Sequence, residues 1–242
     1  MGRYGAMGPL SRLRAAAGIA GPVVFTGAWF VNGLRQHGYP VRDEHISGLA
    51  ALDADHPTSM MMGFVALGVS TLAFAWELRR VLGGRGRSGL APLLLGAGGL
   101  AAIAAGLLRR DTVLLHPPGG SVGYQQSWHN SGHDLSAAVI YVTTVVTPLL
   151  LAWRFRHDPA WRRFVPAALA SSAASVALMG WFGTDVDRAW NGVVQRVMVT
   201  IPQVFMAALA VKVLVAPPDV ARQSNTRRTR RLASVSGQSS RV

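Results

Sequence analysis

The chain contains no cysteine, so disulfides and thiolate metal sites are excluded and any metal must be held by His, Asp or Glu. Charge is also scarce. Only 14% of the 242 residues are charged, half are hydrophobic and mean hydropathy is +0.28, which is too apolar for a soluble domain of this length. Lysine is nearly missing, with Lys212 alone beside 23 Arg, a bias that reflects base composition more than a need for bidentate binding. Acids number eleven against 24 Lys and Arg, and the resulting net charge of +13 would suggest a nucleic-acid partner in a soluble protein. Here the basic residues gather between apolar segments and in the tail, without a groove-reading motif. That is the pattern of membrane topology determinants, so nucleic acid is not an expected partner.

What the chain does have is six apolar runs long enough to cross a bilayer: Leu13 to Leu34, Met60 to Leu78, Ser88 to Leu108, Leu135 to Trp153, Phe164 to Phe182 and Gly192 to Val215. The first follows a basic leader (residues 1–12) and reads as an anchor, because it exceeds a usual signal-peptide h-region and lacks a small-x-small cleavage site. Pro57 can open the second run, while Pro148 and Pro202 interrupt the fourth and sixth. Gly96, Gly98, Gly99, Ala102 and Gly106 give the third a surface that a neighbouring backbone can approach closely. The expected fold is all-α: one polytopic bundle of six transmembrane helices (residues 13–215) in the cell membrane, followed by a disordered basic tail (residues 216–242).

Orientation follows from charge. The leader, the second and fourth loops, Lys212 and the tail hold 18 of the 24 Lys and Arg, against Arg35, Arg42, Arg109, Arg110 and Arg188 in the other loops. Both termini are therefore expected in the cytoplasm. All seven tryptophans fall at span ends or just outside, as an aromatic belt requires.

This topology places six of the seven histidines (His37, His45, His56, His116, His129 and His133) and eight of the eleven acids at the outer side. The densest cluster is Ser127 to Asp134, reading Ser-Trp-His-Asn-Ser-Gly-His-Asp, where His129 and His133 share a helix face one turn apart. His129, His133, Asp134, Asp43 and Glu44 are the candidates for proton chemistry. A zinc ion would need His129, His133 and a third ligand such as His45. Without the intervening Glu of a metalloprotease, the spacing favours structural histidines, so no metal or other cofactor is expected. Arg196, about a turn into the sixth run, should pair with Asp134, Asp185 or Asp187, or grip an anionic head group. His45, Ser47 and Asn130 join it as candidate ligand-binding residues.

Pro22 to Leu34, the loop Gly38 to Leu49, Met62-Gly63-Phe64, Glu77-Leu78-Arg79-Arg80, the His133 region and Gly192 to Arg196 together resemble a bacterial six-helix membrane family, domain of unknown function 998. The similarity spans roughly residues 15 to 215, and its most specific piece is Tyr39 with Ile46-Ser47 and Leu49. That family looks distantly like the DRAM-type membrane proteins. The resemblance implies the six-helix fold and an outward-facing site, but no established reaction. Two departures stand out: Leu107 to Asp111 is more basic than the family pattern, and the loop up to Trp128 is long.

The expected function is binding or handling a lipid or isoprenoid head group, or another amphipathic small molecule. The alternative is a membrane-embedded enzyme, either a metal-dependent hydrolase or an acid/base catalyst such as a terpene cyclase. A transporter ranks third, since no acid sits firmly mid-span and no interrupted helices match between halves. Catalysis and oligomeric state stay open at this level.

Overall fold

A computed structural model describes residues 7–83, 89–114, 126–183 and 188–215. They form α1 (Pro9–Arg35), α2 (Pro57–Val81), α3 (Leu90–Leu107), α4 (Trp128–Phe155), α5 (Val165–Gly183) and α6 (Asn191–Val215), with short 3-10 turns at Ile46–Ala50, Arg162–Phe164 and Arg188–Trp190. Six helices are long and apolar enough to cross a membrane, and no strand occurs among the described residues, so this is an all-α, multi-pass membrane protein. The tail, His116, Asp185 and Asp187 lie outside the described residues.

Local chemistry moves three helix starts outward from their apolar runs. Pro9 and Pro57 open α1 and α2, where a missing N–H costs nothing. Ser127 caps α4 by accepting from Asn130 N, so the octet forms that helix's opening turns.

Each helix packs on its sequence neighbours and α6 closes onto α1, so the six form a ring. Small residues permit this closeness. A Cβ on Gly98 would stand 2.6 Å from Thr143 Oγ1, and one on Gly18 would stand 2.8 Å from Phe74. The glycine surface of α3 is therefore spent on helix packing.

Two apolar clusters lie within the ring. One gathers Phe74, Leu78, Leu151, Phe155 and Trp161 toward the Arg154 loop. Trp161 departs from the expected belt: it is 2% exposed and stacks on Phe155 with ring centroids 5.0 Å apart. The other cluster gathers Phe25, Tyr39, Ile46, Leu49, Met60, Phe64 and Val113 at the opposite end. It includes much of the first loop, residues 36–56, whose Ile46–Ala50 turn is wholly buried. This loop is a lid. Leu52 N donates to Arg110 O at 3.0 Å, Val113 N to Asp53 Oδ1 at 2.7 Å, and Arg109 to Ala50 O at 3.1 Å and Ala51 O at 2.5 Å.

Candidate functional site

The C-terminal end of α3 leaves carbonyls without helical donors, and the octet of α4 supplies them. His133 Nδ1 lies 2.9 Å from both Ala105 O and Leu108 O. Carbonyls only accept, so Nδ1 must carry the proton, and a neutral ring leaves the Nε2 lone pair without a partner among the described residues. His129 repeats the pattern, with Nδ1 2.9 Å from Arg109 O and 2.9 Å from Ser127 Oγ. Ser127 Oγ gives its own proton to Asp111 Oδ1 at 2.5 Å, and Ser127 N donates to Asp111 Oδ2 at 2.9 Å. Asn130 Oδ1 accepts from Asp111 N at 2.9 Å while its amide donates to Asp134 Oδ2 at 3.1 Å, an oxygen that also accepts from Gln126 at 2.6 Å. The octet thus clamps α3 to α4.

His45 stands apart, its ring 4.7 Å from that of Phe182. Among the described residues no three His, Asp or Glu are grouped to hold a metal ion, so the set His129, His133 and His45 is not assembled.

Arg196 does not pair with Asp134, and the other two expected carboxylates, Asp185 and Asp187, lie outside the described residues. Its Nη1 donates to Val41 O at 2.7 Å, Gly192 O at 2.8 Å and Glu44 O at 3.0 Å, and its Nη2 to Tyr39 Oη at 2.7 Å. The guanidinium also lies over the Trp29 and Tyr39 rings, at 5.4 and 5.7 Å. Carbonyl dipoles and ring faces stabilise the buried cation without an ion pair among the described residues. Tyr39 Oη donates onward to His45 O at 2.9 Å and Glu44 O at 3.2 Å. Burial raises the Tyr39 pKa, and the Arg196 charge partly offsets that rise. Of the acids on this loop, Glu44 is buried, and Asp43 takes Arg42 Nε at 2.8 Å.

Beneath the lid, the ring holds a mostly apolar, partly open cavity of about 350 Å³. Its lining on α6 runs from Gln195 to Leu209, a length of about 20 Å at helical rise. Ser47, His133, Asp134, Tyr141 and Gln195 border its lid end, and Thr71, Thr143, Thr144, Thr147 and Gln203 line it further along. Gln195 ties this end together: Oε1 accepts from Ile46 N at 2.7 Å, and Nε2 donates to Tyr141 Oη at 3.2 Å.

Of the sequence candidates, His133, Asp134 and Ser47 thus meet at the cavity, while His129 and Asn130 belong to the clamp, and Arg196 holds the lid carrying Asp43, Glu44 and His45. Sequence reasoning missed Tyr141, Gln195, Arg109 and Asp111. Gln195 carried a usable signal as a second polar residue beside Arg196 in an apolar helix, and Tyr39 stood in the most specific motif.

A family model described as protein of unknown function (DUF998) matches residues 19–212. No curated protein and no solved structure matches the chain.

Proposed function

The chain belongs to the DUF998 family, and we propose that it is a cell-membrane protein that binds an amphipathic lipid or isoprenoid, tail in the central cavity and polar end under the lid. The observation that carries this reading is the cavity's polarity: its walls are mostly apolar, with only threonines and Gln203 along the helices, whereas an imidazole, a carboxylate, a phenol, an amide and a serine hydroxyl meet at the lid end. His133 and Gln195 are held in place by their own backbone contacts, so the polar end is preorganised for a head group. The 18-to-5 charge bias supports cytoplasmic termini, which puts the lid on the outer side.

The test is native mass spectrometry of protein purified from membranes, comparing wild type with Thr144→Phe and Val199→Phe, which fill the cavity from α4 and α6. Co-purifying lipid is expected on wild type and lost from folded variants. Equal lipid on all three would sink the reading. An acid/base enzyme is the second reading, favoured by the His133 lone pair at the cavity's polar end; turnover of the co-purified lipid, abolished in His133→Gln, would establish it.

A further inference from the structure

We infer that Arg110 is the anion-binding residue of this protein, holding the phosphate of an amphiphile whose tail occupies the cavity. Three other arginines at this end are engaged: Arg42 by Asp43, Arg109 by the Ala50 and Ala51 carbonyls, and Arg196 by the lid. The Nε of Arg110 is buried without a partner, as is that of Arg196, but where Arg196 bonds through both Nη atoms the Arg110 guanidinium makes no hydrogen bond or ion pair with the described residues. A buried Nε–H without an acceptor is costly, and an anion that brings oxygens to this side chain would satisfy it.

The backbone around it is held in place. Leu108 O faces His133, Arg109 O faces His129, Arg110 O takes Leu52 N, and Asp111 N donates to Asn130. Four successive residues are thus locked to α4 and the lid while one cationic side chain is left over. With Leu108 O on His133 and Arg110 O on Leu52 N, residue 110 sits between the lid and the histidine that borders the cavity's polar end. Asp134, the carboxylate bordering the cavity, has Oδ2 occupied by Asn130 and Gln126. A phosphate presents oxygens that a guanidinium can grip bidentately. The basic departure at Arg109-Arg110 thereby acquires two separate uses, one closing the lid and one facing the ligand.

This inference rests on the cavity reading for the tail, so the experiment separates the two. Full-length wild type, Arg110→Gln and Arg110→Lys are titrated in detergent with phosphatidylglycerol and with diacylglycerol of the same acyl chains, and thermal stability is followed with inorganic phosphate. Wild type should prefer phosphatidylglycerol by about tenfold or more, the worth of one charged hydrogen bond. Arg110→Gln should bring it down to the diacylglycerol level and leave diacylglycerol itself unchanged, with Arg110→Lys in between. If neither lipid binds, the cavity reading fails. In that case stabilisation by inorganic phosphate that Arg110→Gln abolishes would still support the anion site, with free phosphate as its source. A preference unchanged in Arg110→Gln, or neither preference nor phosphate effect in wild type, overturns the inference. Arg110→Lys retains the positive charge, so it decides the matter should Arg110→Gln fail to fold.

Discussion

Arg196 donates to the Tyr39 hydroxyl at 2.7 Å across 157 residues of sequence, one of several bonds by which the sixth helix holds the first loop shut. Replacing Arg196 with Leu strips the donor from the Val41 carbonyl and one donor each from Glu44 O, Gly192 O and the Tyr39 hydroxyl, at roughly 1–3 kcal/mol for the carbonyl left buried and unpaired. The expected outcome is a lower Tm and faster proteolysis within residues 36–56, with Arg196→Lys recovering part of the loss. Unchanged Tm and cleavage in Arg196→Leu would show that the lid is held elsewhere.

Gly192 is where the lid comes closest to α6. A Cβ there would stand 2.5 Å from Glu44 O, 2.6 Å from Val41 O and 2.8 Å from Arg42 O, all of them backbone atoms. Gly192→Ala should therefore destabilise by roughly 1–3 kcal/mol through overpacking, despite alanine's better helix propensity. A stabilised Gly192→Ala in thermal unfolding would contradict this packing.

His133→Ala should cost about 1–3 kcal/mol by leaving the Ala105 and Leu108 carbonyls without their shared donor. His133→Asn, whose amide N–H can stand in for Nδ1–H, should restore much of the stability. Equal Tm values for the two variants would remove the clamp from the list of forces joining α3 and α4.

The raised pKa of Tyr39 gives the lid a pH dependence. Because the folded value lies above the ordinary one of about 10, the lid's contribution is whole below that pH and is lost as pH rises through the folded value. Proteolysis of residues 36–56 should accelerate at alkaline pH in wild type. In Tyr39→Phe that acceleration should be absent, and its persistence would assign the titration to another group.

A chain without cysteine allows topology to be read from single introduced thiols. Leu52→Cys on the lid should react with an impermeant maleimide in intact cells, whereas Ala160→Cys beside the Arg154 to Arg163 cluster should react only after lysis. The reverse labelling would overturn the charge-based orientation.

The six spans, the all-α class and the family were legible in the sequence for a single reason: hydrocarbon admits only segments that satisfy their own backbone, and a helix of that length announces itself by composition alone. The clustering of His133, Asp134 and Ser47 at one end of the bundle could also be argued from chain order and charge. The tertiary structure decided what these residues touch. The partners of Arg196, His129 and His133 are mostly main-chain carbonyls, which every residue possesses, so no pattern of residue types could point to them. For Arg196 the described partners are three carbonyls and a phenol rather than Asp134. Trp161 shows the same limit, since a span-end position suits a belt residue and a buried one equally, and only its packing on Phe155 chooses between them. Arg110 is the converse case: the sequence marks it as one more basic loop residue, and only the fold shows its Nε buried without a partner among the described residues while its neighbours are bonded.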